Sequence, residues 1–158
     1  MTRRFPDETR RRILDAAVEV FAEAGYHDAT MEDIVRASGT SKGAIYGHFP
    51  SKEDLFFVLI DALVARLLGS VERAIAGVSD PLLRADAALS SVLATFARHR
   101  SLARILLIEM AGGNPSVSRK VLEVRERVVD FIARHLDEAV ATGVIPPTDT
   151  RLAALVWF

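Results

Sequence analysis

Residues 30–56 read TMEDIVRASGTSKGAIYGHFPSKEDLF, and the fold turns on how this run is punctuated. Thr30 followed by Met-Glu-Asp is a helix N-cap with acids in the first turn, where the backbone dipoles favour negative charge. Met31, Ile34 and Val35 give the apolar face of a helix of only about two turns, which ends at Ser38-Gly39. Thr40 or Ser41 caps a second short helix that contains Ala44, Ile45 and Tyr46 and fades by Phe49-Pro50. Ser51-Lys-Glu-Asp54 is a serine-x-x-acid start signature. It opens a long helix with Leu55, Leu59, Leu63, Leu67 and Val71 on one stripe, to about Ile75. Two short helices joined by three or four residues that include glycine make a helix-turn-helix. Here the pair is Met31–Ser38 and Ser41–His48, joined through Gly39-Thr40.

Outward from this run, helical periodicity continues in both directions. Ile13, Ala17, Val20, Phe21 and Ala24 share one face of a first helix spanning about residues 7–24, with Gly25 at its end. Asp80-Pro81 reads as an N-cap and first-turn proline, and the helix behind it carries Leu82, Leu89, Val92, Leu93 and Phe96. Ser101 opens a short apolar piece, ARILLIEMA, stopped by Gly112-Gly113. Asn114-Pro115 or Ser116 starts another long helix, with Val121, Val124, Val128, Phe131, Ile132, Leu136 and Val140, ended by Gly143. After Pro146-Pro147, Thr148-Asp149 caps a last helix through Leu152, Leu155 and Val156. RLAALVWF closes the chain on bulky apolar residues without a capping signal, which predicts a chain cut inside its last helix. No segment alternates with period two and no hairpin dipeptide occurs, so the expected class is all-α, with a seam near residue 50.

Half of the 158 residues are hydrophobic, enough to bury a substantial core. The longest apolar runs, Leu55–Ile60 and Leu152–Phe158, fall far short of the roughly 18 residues a membrane span needs. The basic start MTRRFPDETRRR has no apolar segment behind it, so no signal peptide is read, and a cytoplasmic protein is expected. Cysteine is absent, which removes disulfides, thiol nucleophiles and zinc fingers. Net charge is −1, and residues 1–54 hold 8 Lys+Arg against 10 Asp+Glu, or −2. Bulk charge therefore gives no support to nucleic-acid binding, and the case for it rests on placement.

Placement does support it. A helix serving only as scaffold would not put Gly43 in its first turn and Gly47 near its end, since each glycine costs roughly 1 kcal/mol against alanine. Small residues on an outward face let a backbone come close to another surface, and a major groove admits one helix to its base edges. Thr30, Thr40, Ser41 and Ser51 stand at helix starts, where amide groups attract anions. Lys42 and Lys52 lie one residue past two of those starts, and Tyr46 and His48 add hydrogen-bonding groups. Five arginines, Arg3, Arg4, Arg10, Arg11 and Arg12, stand among the first twelve residues as either a solvated tail or further phosphate contacts. Ile45 and Phe49 read as core, anchoring the second short helix to the first helix of the chain.

From about Ile13 to Phe56 the chain resembles the signature of TetR-family transcriptional regulators. The matching features are a first helix ending in Gly25-Tyr26, Thr30 opening the second and Gly39 in the turn. Ser41-Lys42-Gly43 opens the third, Tyr46 and Phe49 close it, and Ser51-Lys52-Glu53 opens the fourth. The resemblance implies a three-helix DNA-binding head, residues 1–50, on a larger helical ligand-binding and dimerisation bundle, residues 51–158. It implies that Ser41, Lys42, Gly43, Ala44 and Tyr46 face DNA, with Thr30, His48 and Lys52 on phosphates, and Thr40 is counted among the DNA-binding residues with them. It further implies a homodimer on a palindromic double-stranded operator, a repressor released by a small-molecule effector. The absence of an obvious buried charge pattern points to a lipophilic effector, and Leu63, Leu67, Leu93, Phe96, Ile105, Leu106, Met110 and Phe131 are expected either to line its cavity or to be plain core. The family pairs through its last two helices, and this chain stops inside the first of them.

Other chemistry finds little footing. His135 and Glu138 share a helix face, but no Glu-x-x-His occurs for a di-metal bundle site. There is no G-x-S-x-G elbow, and Gly43-x-x-x-Gly47 is not a phosphate loop of the G-x-x-x-x-G-K type. No cofactor, metal or catalytic activity is expected. The alternative function is an all-α ligand-binding or protein-interaction module that meets a partner protein through residues 40–56 without binding DNA.

Overall fold

Ile13, Ala17 and Phe21 recur four residues apart and form the buried face of α1 (Pro6–Asp28) in the computed structural model, which describes residues 6–101, 104 and 115–156. The helix does not stop at residue 24. Gly25 breaks it at φ 77°, ψ 172°, and a further turn follows, closed by Ala29 N–H donating to the Gly25 carbonyl at 3.3 Å. A left-handed φ costs glycine nothing, so the break is cheap. The extra turn has a packing role: it sets the Tyr26 ring 6.1 Å from Phe21 and 4.7 Å from Phe56.

Capping groups fix the next three helices where the sequence places them. α2 (Met31–Ser38) opens with a reciprocal capping box between Thr30 and Asp33. α3 (Lys42–His48) starts at Ser41, whose hydroxyl accepts from Ala44 N–H at 3.1 Å. α4 (Lys52–Ile75) starts at Ser51, whose hydroxyl accepts from Asp54 N–H at 3.0 Å and donates to the Asp54 carboxylate at 2.7 Å. The chain divides into two compact units, and the division falls inside α4. One comprises the described parts of Met1–Leu63 and Phe96–Asn114, the other those of Val64–Thr95 and Pro115–Phe158.

In the first unit α1 packs against α2 and α3. Ile34 and Ile45 are fully buried with Ile13 and Ala17, and Phe21 meets Phe56 edge to face at 5.3 Å. Leu55, Leu59, Ile60 and Leu63 of α4 are buried as well. Each large side chain removed from water in this way stabilises the head by about 1.5–3 kcal/mol.

The second unit holds the rest of α4, α5 (Pro81–Arg98) up to Thr95, α6 (Pro115–Ala141) and α7 (Thr150–Val156). Asp80 caps α5 as its sequence announces, accepting from Leu82 and Leu83 N–H at 2.9 and 3.0 Å. Asp149 caps α7 through Leu152 N–H at 2.9 Å. Val71 and Ile75 of α4 bury Phe131 of α6, with Leu68, Val92 and Ile132 around them. Val129 and Ala133 receive Ala154 of α7. α7 is also tied to α6 by Arg151, which binds Asp130 and Glu126, and by the Thr150 hydroxyl on Asp137. The buried Thr95 hydroxyl is satisfied by Ser70 at 2.9 Å and by the Ser91 carbonyl at 2.8 Å.

α5 departs from its sequence reading. Leu82, Leu89 and Leu93 share the expected stripe, yet each is more than half exposed, and Val92 is the member of the set packed against the Val71–Phe131 core. Leu93, expected to be core or cavity lining, thus stands at the surface. Among the described residues there is no strand, and no helix is long and apolar enough to cross a membrane.

Candidate nucleic-acid interface

α3 is a helix with two unlike faces, and the sequence explains both. Ile45 and Phe49, four residues apart, are buried at 0% and 2% exposure, so they hold the helix down. Tyr46, one residue on from Ile45, is turned about 100° away and is 40% exposed. Ser41, Lys42, Gly43 and Gly47 are exposed with it, and Ala44 is half-buried. A Cβ built on Gly43 or Gly47 would meet no atom within 4 Å. Nothing inside the chain requires glycine at either place, so the absence of side chains leaves a bare strip of helix facing outward.

The turn before α3 is fixed from a distance. Gly39 adopts φ 61°, ψ 27°, the left-handed C-cap of α2. Arg12 of α1 donates from Nη2 to the Ser38 carbonyl at 2.7 Å, and that same Nη2 lies 3.2 Å from where a Cβ on residue 39 would stand. Thr40, half-buried, shares a hydrogen bond of 2.7 Å with the Ser38 hydroxyl, so its oxygen helps to hold the turn. Arg10 sits over the Phe49 ring at 5.4 Å. These two arginines brace α2 and α3, roles that sequence spacing does not reveal because their partners lie 26 to 39 residues away. Arg3 and Arg4 lie outside the described residues, and Arg11 is exposed.

The groups expected to meet phosphate fall into two sets. Lys42 is exposed: its ammonium donates to Glu32 Oε1 at 2.6 Å and lies 5.9 Å from the Tyr46 ring centre. The hydrogen bond from Lys42 holds the Glu32 carboxyl below its ordinary pKa, and the same bond raises Lys42 above its own. The Thr30 side chain, then its backbone N–H, lowers Asp33 in the same way. Thr30 itself is exposed, but its hydroxyl is committed to Asp33, at 2.6 Å to the carboxylate and 3.1 Å from the backbone N–H. His48 is half-buried beside Phe49, with ring centres 6.3 Å apart.

Lys52 differs from all of these. Its ammonium donates to the carbonyls of Tyr26, His27 and Ala29 at 2.6, 3.0 and 2.8 Å, and it lies 4.6 Å from the Tyr26 ring centre. Three donors meet three acceptors, which is the whole hydrogen-bonding capacity of an ammonium. The structure therefore turns Lys52 inward, where it clips the start of α4 to the end of α1, and does not offer it to an external anion.

The residues expected around an effector are divided between the two units and the residues that are not described. Leu63 is buried in the first unit with the head, and Phe96 is half-buried in that unit. Phe131 is in the core of the second unit, Leu67 is half-buried there, and Leu93 is exposed. Ile105, Leu106 and Met110 lie outside the described residues, as does most of the ARILLIEMA segment. No group of three or more metal-ligating side chains occurs among the described residues.

Comparison with known proteins bears on the family and the fold. Residues 13–59 match the model of bacterial regulatory proteins of the tetR family, and residues 79–158 match the tetracyclin repressor-like C-terminal domain. The HTH-type transcriptional regulator UidR of Escherichia coli K12 is 34% identical over 142 residues, covering 88% of this chain and 70% of UidR. The HTH-type transcriptional activator FasR of Mycolicibacterium smegmatis is 32% identical over 150 residues, covering 88% of this chain and 68% of FasR. The crystal structure of the transcriptional regulator FadR from Bacillus subtilis in complex with stearoyl-CoA superposes with a TM-score of 0.82 at 27% identity, covering 92% of this chain and 79% of that one. With an all-α helix-turn-helix head and both family models matched in order, the chain belongs to the TetR family of transcriptional regulators.

Proposed function

We propose that this chain is a ligand-responsive repressor that binds a palindromic operator as a homodimer in the cytoplasm and is released by a lipophilic small molecule. Residues 1–50 read the DNA, and residues 51–158 take up the effector and pair the subunits. The observation that carries the reading is the bare outer strip of α3, Gly43 and Gly47 with open space beside them, flanked by exposed Lys42 and Tyr46. A helix held down by Ile45 and Phe49 and bare on its far side suits insertion into a major groove. Ser41, Lys42, Gly43, Ala44 and Tyr46 then meet the duplex, with Thr30, Thr40 and His48 at its edges. Lys52 acts indirectly, by fixing the helix that leads out of the head.

The lipophilic effector is supported by the stearoyl-CoA bound to FadR and by the apolar character of the helices that follow the head. α4 contributes to both compact units, so a ligand that favours one setting of this helix shifts the spacing of two reading heads and with it operator affinity. FasR is an activator, so the direction of regulation is read separately from DNA binding.

The test starts from a random-sequence duplex pool, selected for binding to the full chain and read by sequencing. The expected outcome is an inverted repeat with half-site centres one helical turn, about 34–36 Å, or a multiple apart. Fluorescence anisotropy with the selected duplex then follows release by added stearoyl-CoA. Recovery of no preferred sequence at any salt concentration overturns the DNA-binding reading, and tighter binding with stearoyl-CoA overturns the repressor reading alone.

A further inference from the structure

The exposed lysine of the reading helix meets a carboxylate before it meets anything else. Lys42 Nζ lies 2.6 Å from Glu32 Oε1, and the two side chains are 66% and 57% exposed. Glu32 is on the first turn of α2 and Lys42 on the first turn of α3, so the pair spans the helix-turn-helix on its outer side. The neighbouring acid has other duties: Asp33 closes the Thr30 capping box and meets Arg36 at 3.3 Å. Glu32 takes no part in the Thr30 capping box.

As a stabilising contact such a pair is worth little, because two exposed chains lose freedom to meet in water. Its consequence for binding is larger. Each shifts the other toward its charged form, so protonation near neutral pH does not dissolve the pair. A phosphate oxygen approaching Lys42 competes with a carboxylate already in hydrogen-bonding position, and it meets an added negative charge there. A lysine with an internal partner also has less to gain by releasing the counterions of the duplex.

We infer that Glu32 is an internal counter-ion of Lys42, standing in the free protein where a phosphate oxygen stands in the complex, and that it restrains sequence-independent attachment to DNA. The role presupposes the DNA-binding reading above. It is consistent with the net charge of −2 over residues 1–54, since a carboxylate on the outer side of the motif weakens binding that rests on phosphates alone. Contacts to base edges, which an operator adds, are left to decide where the protein stays.

The experiment uses the full chain and a fluorescein-labelled 30-base-pair duplex of scrambled sequence, read by anisotropy between about 50 and 200 mM KCl. Glu32→Gln keeps the shape of the side chain and removes its charge. It should tighten binding about two- to fivefold at the lowest salt, the equivalent of an exposed ion pair. The slope of log K against log salt should steepen by up to about one. In a Lys42→Met background the same substitution should change affinity by less than about twofold, because the coupling has lost its partner. Equal tightening with and without Lys42 would overturn the inference, since Glu32 would then act as a plain repelling charge. Unchanged affinity in Glu32→Gln overturns it too. Absence of salt-dependent binding by the unmodified chain removes the DNA-binding reading itself, and is told apart by occurring before any substitution is made.

Discussion

The starts of α3 and α4 are close to twins in sequence and opposites in structure. Each has a serine whose hydroxyl accepts a backbone N–H three residues on, Ala44 in one and Asp54 in the other, and each has a lysine as the next residue. Lys42 stays at the surface with Glu32, whereas Lys52 folds back onto three carbonyls at the end of α1. The difference lies in what each lysine can reach. The break at Gly25 presents main-chain carbonyls beside the start of α4, and a charged donor in that place gains three bonds. Beside the start of α3 the lysine meets the Glu32 carboxylate and the ring of the exposed Tyr46. A serine-lysine pair at a helix start thus specifies the cap and leaves the direction of the lysine to the fold.

Substitutions can break this contrast or sharpen it. The largest effect belongs to the inner face of α3: Ile45→Ala should destabilise the head by about 3 kcal/mol, measured by urea unfolding, because a fully buried side chain leaves a cavity. Lys52→Met should cost about 2 kcal/mol through loss of charged hydrogen bonds to the end of α1. Lys42→Met, by contrast, should leave stability within about 0.5 kcal/mol and weaken duplex binding. If Lys52→Met left the melt unchanged, the inward lysine would have no structural role and the contrast would collapse.

Gly43→Ala should act with opposite signs on its two readouts. The added methyl meets nothing within 4 Å, so stability should hold or rise by up to about 1 kcal/mol. Affinity for the selected duplex should fall, since the methyl thickens the bare strip. Stronger binding by Gly43→Ala would show that α3 does not approach DNA along that side.

The smallest effect is a pH dependence. Thr30 holds the Asp33 carboxyl below the 3.8 of a free aspartate, so the capping box adds stability above that value and loses it as pH falls through the lower folded-state value. Melting temperatures of the unmodified chain and Asp33→Asn should therefore differ most at neutral pH and converge below about pH 4. A gap that widened on acidification would reverse the sign assigned to Asp33.

Much of the fold is legible in the sequence because its helices announce their own starts. Thr30, Ser41, Ser51, Asp80 and Asp149 each bond to an N–H two or three residues ahead, an interaction local enough for spacing alone to locate. The two faces of α3 follow as well, from Ile45 and Phe49 set against Gly43 and Tyr46. Other features depend on residues brought together by the fold. Arg12 reaches Ser38 and Lys52 reaches Tyr26 over 26 residues, and no local pattern marks such a pair. Glu32 was within reach of inference, since the first turns of two helices in a helix-turn-helix lie near each other. α5 misleads for a different reason: periodicity assigns Leu82, Leu89 and Leu93 to one face but does not tell whether anything covers it.

The clip made by Lys52 also bears on how portable the reading head is. A fragment cut after Pro50 would keep every residue of the helix-turn-helix, yet it would lose the ammonium that closes the end of α1. It would lose Phe56 as well, whose ring packs against both Phe21 and Tyr26. A head grafted onto another bundle therefore has to bring the opening turns of α4 with it. The compact unit that holds the head runs along α4 to Leu63, thirteen residues beyond Pro50, and also takes in described residues from Phe96 onward.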